Sequence, residues 1–113
     1  MERLIDQDQF NEAVDGDQDV IEVIAQTYID TYEDLYESFK SSYDSNDPEK
    51  LAQTSHTLKG AVSMFFAESL TGPLEQIELN AKAGKISIDE SEVIKIKEDL
   101  NKLSLELKEL IKN

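Results

Sequence analysis

Apolar residues along this chain recur at intervals of three and four, separated by polar and charged ones, from the first tenth of the sequence to its end. That spacing is the mark of helices with one buried face. No stretch alternates apolar and polar residues between hairpin signals, and neither an internal repeat nor a low-complexity tract is present. A short helix is predicted from about Asp6 to Val14, with Phe10 and Val14 on one side and Gly16 as its stop. Asp17 then caps a long helix running to about Tyr43, whose Ile21, Ile24, Tyr28, Thr31, Tyr32, Leu35 and Phe39 form a stripe. Asp19, Glu22, Asp30, Glu33 and Glu37 lie opposite, toward water.

In "DSNDPEK", Asp47 is the N-cap of a third helix with Pro48 at its first position, where a missing N–H costs nothing. This helix is expected to run to about Phe66. "TGP" at 71–73 interrupts the pattern, so Pro73 is expected in the first turn of a fourth helix that ends at Gly84. The last helix begins near Ser87 or Asp89, each with a glutamate three residues on, and carries a seam of Val93, Ile96, Leu100, Leu103, Leu107 and Leu110. Together these elements predict an all-α fold, an antiparallel up-down four-helix bundle with a short additional N-terminal helix. With 113 residues, 39% of them hydrophobic, residues 1–113 are expected to form a single domain around one core.

Charge and composition then exclude several functions. The 25 acidic and 11 basic residues give a formal charge of -14. A field of that sign opposes nucleic acid and anionic membrane surfaces as partners. Cysteine is absent, so there is no disulfide framework and no thiolate chemistry. No apolar run resembles a leader, and none approaches the roughly 18 residues of a membrane span. A cytoplasmic, monomeric protein is the expectation.

The sole histidine, His56, lies in "QTSHTLKGAVSMFF". At 100° per residue, Leu51, Thr54, Leu58, Ala61, Val62 and Phe65 gather on one face of the third helix, and His56 falls nearly opposite them. It is expected to face solvent rather than to fill the core. Lys59 and Gly60 are its neighbours one turn on, Ser63 lies one turn further, and Gln53 and Ala52 lie one turn before. A glycine in mid-helix costs roughly 0.5–1 kcal/mol relative to alanine. Here no turn or cap explains it, and the bare backbone leaves room for another protein or a phosphoryl group beside the ring. Imidazole is a good nucleophile near neutral pH. No second histidine or cysteine supports a usual zinc site, and neither "AKAGK" nor "TLKG" has the spacing of a phosphate loop. A phosphoryl group would therefore arrive on another protein.

"SHTLKGA" resembles the H-x-L-K-G-[SA] signature of histidine-containing phosphotransfer (HPt) domains of two-component phosphorelays, and the similarity extends from "FNEAVDGDQDVIEVIAQTYIDTYEDL" to "IELNAKAGK". The family fold is a four-helix bundle with an extra N-terminal helix. The resemblance implies that His56 accepts a phosphoryl group at Nε2 from a receiver-domain aspartate and passes it to another receiver. It implies further that Lys59 steadies that group and Gly60 leaves it room. Glu78 and Lys82 stand where the family often has an acid or amide and a base. Glu78 is expected to accept from Nδ1–H, and Lys82 to join Lys59 in offsetting phosphate charge; an ordinary surface Glu/Lys pair is the alternative. Gln53, Gly60, Ser63 and Met64 are expected to meet the partner. Where the family usually has Leu-Gly-Ala, this chain has Phe65, Phe66 and Ala67.

No cofactor is expected on the chain, Mg²⁺ belonging to the partner receiver, nor any kinase activity of its own. The partners implied are receiver domains of response regulators or hybrid histidine kinases, served by a free-standing transmitter, with an excised piece of a hybrid kinase as the alternative. The competing readings are a non-phosphorylated bundle that binds and regulates a kinase or receiver, and an acidic structural adaptor.

Overall fold

The computed structural model of the chain describes residues 3–111 and contains five helices: α1 (Gln7–Ala13), α2 (Gln18–Asp44), α3 (Pro48–Ser63), α4 (Glu68–Lys82) and α5 (Glu90–Leu110). Among the described residues there is no strand. Aspartates open four of the helices. Asp6, Asp17, Asp47 and Asp89 each accept from a backbone N–H of the first turn, at 3.1, 3.0, 3.1 and 3.0 Å. Ser87 caps nothing and instead accepts from the Asn80 amide. At the far end of α4, Gly84 adopts φ 83° and Lys85 N–H returns to the Asn80 carbonyl, closing the helix as its position in the sequence predicts.

Short connections turn each long helix back along its predecessor, giving the up-down bundle. α3 lies between α2 and α4, while α5 closes against α2 and more lightly against α4. Three tyrosines spaced four apart on α2 tie it to α5. The Tyr28 hydroxyl donates to the Leu100 carbonyl at 2.9 Å, Tyr32 to Asn101 Oδ1 at 2.8 Å, and Tyr36 to the Val93 carbonyl at 3.4 Å. Burial pushes the Tyr28 phenol up, so it remains a donor at any ordinary pH. These rings turn the buried side of α2 toward Ala25 and Tyr36. Ile24 and Leu35 are left half-buried, and Thr31, assigned to the buried stripe by periodicity, is exposed. Its hydroxyl donates to the Thr27 carbonyl of its own helix and requires no core partner.

Two boundaries, on either side of Phe66, differ from the sequence expectation. α3 stops at Ser63 rather than Phe66, because Phe65 turns inward to pack on Phe10 and Tyr28, with ring centroids 5.2 and 5.5 Å apart. Phe65 and Phe66 N–H bond three residues back, to Val62 and Ser63, and Phe66 takes φ 56°, which helical backbone cannot follow. α4 then starts at Glu68, so Pro73 is its sixth residue and not in its first turn. The earlier start buries Leu70 as well as Leu74, and Pro73 remains exposed. Gly72 makes this possible: without a Cβ it avoids the clash that bars helical backbone before proline. The lost bond to Ser69 leaves a carbonyl on an exposed residue, where water can satisfy it.

Candidate functional site

His56 sits in the middle of α3 between residues anchored in the core, Ser55 and Leu58, both fully buried. Those anchors fix the rotation of the helix, and the imidazole faces outward with 68% of its side chain exposed. Ala52 is the exception to the flat surface expected around it. It is buried, because α3 packs against two helices and its inward face is wider than one stripe.

The ring is held from below by α4. Glu78 lies one position beyond Ile77 at the edge of the buried stripe and is only 4% exposed. Its Oε2 is 3.0 Å from His56 Nδ1 and 3.0 Å from Lys82 Nζ, while its Oε1 is 2.8 Å from Lys59 Nζ. Beside Lys59 and Lys82 the Glu78 carboxyl is held down to about 2, against the opposing effect of burial, and Lys59 is correspondingly pushed up by Glu78. The carboxylate is therefore ionised throughout the neutral range and can only accept. A neutral imidazole facing such an acceptor carries its proton on Nδ1, which leaves the Nε2 lone pair unprotonated on the solvent side.

The four residues that the sequence singled out for chemistry thus converge, in an arrangement sequence spacing does not specify. Lys59 and Lys82 are both ion-paired with Glu78, so the carboxylate is the hub and the histidine is one of its three partners. Glu75 is a member of this cluster that sequence reasoning missed, 4.0 Å from Lys59 Nζ. Its signal was available: it stands three residues before Glu78, on the same side of α4.

Among the residues expected to meet a partner, Gln53, Gly60, Ser63 and Met64 are all exposed, and the Ser63 hydroxyl donates to the Gly60 carbonyl at 2.9 Å. Met64 and Ile24 line two neighbouring hollows against α2, one with Val20 and the other with Val23, and Val23 is 66% exposed. Those valines are apolar residues outside the α2 stripe, a signal the periodicity alone treats as noise. Gly60 would meet no atom within 4 Å if it carried a Cβ, so nothing within the chain requires glycine there. Gly60→Ala is accordingly expected to stabilise the isolated domain by about 0.5–1 kcal/mol, read as a higher Tm, because alanine favours helix. A loss of stability in this variant would show that the glycine serves packing.

The family model of the Hpt domain matches residues 23–110, which include α3, α4 and every residue of this cluster. The chain belongs to the Hpt domain family. Hpt domains are helical bundles and phosphocarriers, with a phosphotransfer role in two-component systems and receiver domains as their partners in phosphorelays. No curated protein and no solved structure matches the chain. Membership gives the departure at Phe66 a physical meaning. This Hpt domain has phenylalanine where the family signature is usually followed by glycine, and the backbone there is left-handed, the conformation glycine adopts without strain. Among the described residues of this Hpt domain, no helix is long and apolar enough to cross a membrane, and no three His, Asp or Glu side chains are grouped to hold a metal ion.

Proposed function

We propose that this Hpt domain carries a phosphoryl group on Nε2 of His56, taking it from the aspartyl phosphate of one receiver domain and handing it to the aspartate of another. The observation that carries the reading is the contact of Nδ1 with a buried carboxylate, ionised throughout the neutral range, while the opposite edge of the ring stays open. In the transfer, the Nε2 lone pair attacks phosphorus as the bond from phosphorus to the aspartate oxygen breaks. The electron pair leaves with the receiver's carboxylate, and the Nδ1 proton stays in its hydrogen bond to Glu78. Onward transfer is the same step reversed.

Glu78 orients the ring and fixes its tautomer. Lys59 and Lys82 reduce the charge that the incoming group meets. Gly60 leaves space above the helix, and Gln53, Ser63 and Met64, with Val20 and Val23 beside them, form the surface on which the receiver settles. Mg²⁺ and the rest of the phosphoryl chemistry belong to the receiver, and this chain contributes a positioned nucleophile without kinase activity. Such a carrier acts as a cytoplasmic monomer through small, transient interfaces of about 1,200 Å² or less, since tight binding would block release.

The test is to mix the chain with a phosphorylated receiver and follow acid-labile, base-stable label. Wild type is expected to acquire it and His56→Gln to acquire none. Label persisting in His56→Gln would remove the assignment, and failure of wild type to take label from any receiver of its host would favour a bundle that binds and regulates without being phosphorylated.

A further inference from the structure

The charges around His56 cancel only while the ring is unmodified. Lys59 and Lys82 supply two positive charges, and Glu78 and Glu75 supply two negative ones. A phosphoryl group adds roughly two more negative charges. It cannot draw the lysines away freely, because Glu78 is buried and removing its cations would leave an uncompensated charge inside the protein. Nor does Glu78 escape by taking a proton near neutral pH, with its carboxyl held at about 2.

The two carboxylates are not equivalent. Glu78 seats the ring and holds both lysines. Glu75 is 62% exposed, and among the described residues its one ion pair is to Lys59. It makes no hydrogen bond to His56 and lies outside the buried core. What it adds is a negative charge beside the lysine that stands one turn from the nucleophile.

On the reading that His56 is the phosphoacceptor, we infer that Glu75 sets how long the phosphoryl group stays, by placing a negative charge 4.0 Å from Lys59, which Glu78 already holds at 2.8 Å, and so leaving phospho-His56 short of positive charge. Glu75 forms no bond to phosphorus and moves no proton. It is a positioning residue that acts through Lys59, and it biases the exchange toward the aspartyl phosphate of the receiver. The domain is thereby built as a conduit and not as a store.

The experiment uses the full chain and one receiver, with the phosphoryl distribution between His56 and the receiver aspartate measured at equilibrium. Glu75→Gln is expected to shift it about three- to tenfold toward phospho-His56 at low salt, and to slow loss of label from the isolated phosphoprotein by a similar factor. The shift fades at about 0.5 M salt, as an exposed charge requires, whereas a structural effect would persist. Glu75→Asp restores wild-type behaviour, and Glu33→Gln, which removes the same charge from an exposed position on α2, leaves the equilibrium in place. An unchanged equilibrium in Glu75→Gln, or an equal shift in Glu33→Gln, overturns the inference while His56 labelling stands. A wild-type chain that takes no label from the receiver or from phosphoramidate overturns both this inference and the reading beneath it.

Discussion

Glu78→Gln is expected to slow phosphoryl transfer through His56 roughly 10- to 100-fold, the scale on which a group that fixes the orientation and tautomer of a functional histidine acts. Three donors converge on this one side chain: the Nδ1–H and the ammonium groups of Lys59 and Lys82. A carboxylate can accept from all three. An amide has one acceptor oxygen and turns an NH₂ toward at least one of the cations. The ring then loses the acceptor that fixes its tautomer, and Nε2 is no longer held free of protons. Stopped-flow transfer from a phosphorylated receiver is the measurement, and a variant as fast as wild type would show that ring orientation does not depend on Glu78.

The same substitution changes how stability follows pH. The folded state holds Glu78 at about 2, below its ordinary 4.5, so the unfolded chain binds this proton more readily. The resulting stabilisation is complete above pH 4.5 and is lost as the pH falls toward 2. Lys59 is raised above its ordinary 10.5 by the same contact, so its share is complete below 10.5 and is lost as the pH rises through the elevated value. In denaturant melts across pH, Glu78→Gln should start lower at neutrality and lose less than wild type in both windows. Parallel curves for the two proteins would refute the coupling.

Phe65→Ala is expected to have the largest effect on folding, about 3–5 kcal/mol, corresponding to a fall in Tm of roughly 12 °C or more. Phe65 is 1% exposed, packs on Phe10 from α1 and meets Tyr28 edge-on, and its carbonyl accepts from Asp6 N–H. It therefore fastens α1 to the bundle at the point where α3 ends. Cutting it back to alanine removes the ring that joins three helices and opens a cavity between them. Thermal melts by circular dichroism measure the effect, and a loss below about 1 kcal/mol would mean that the ring contributes no more than an exposed one.

Much of this was readable before any coordinates. Aspartate N-caps, the left-handed Gly84 and the three-and-four spacing act over single turns, so Asp17, Asp47 and the α5 seam could be located from neighbouring residues alone. Where the reading failed, the decisive force came from elsewhere in the chain. Phe66 looks like helix, and it leaves the helix because Phe65 is drawn into an aromatic cluster formed by α1 and α2. Pro73 looks like a start signal, and it lies within α4 because burying Leu70 outweighs one lost hydrogen bond at an exposed turn. Thr31 fits the apolar stripe of α2 by angle, but the tyrosines that reach α5 rotate the buried side past it.

The site divides along the same line. The outward direction of His56, with Lys59 and Gly60 beside it, is fixed by helical periodicity, since residues on one helix are related by 100° steps whatever the rest of the chain does. That Glu78 is buried, that it joins both lysines to the ring, and that Glu75 reaches Lys59 depend on how α4 is placed against α3. Such placement is set by packing between residues far apart in sequence, which no local spacing encodes.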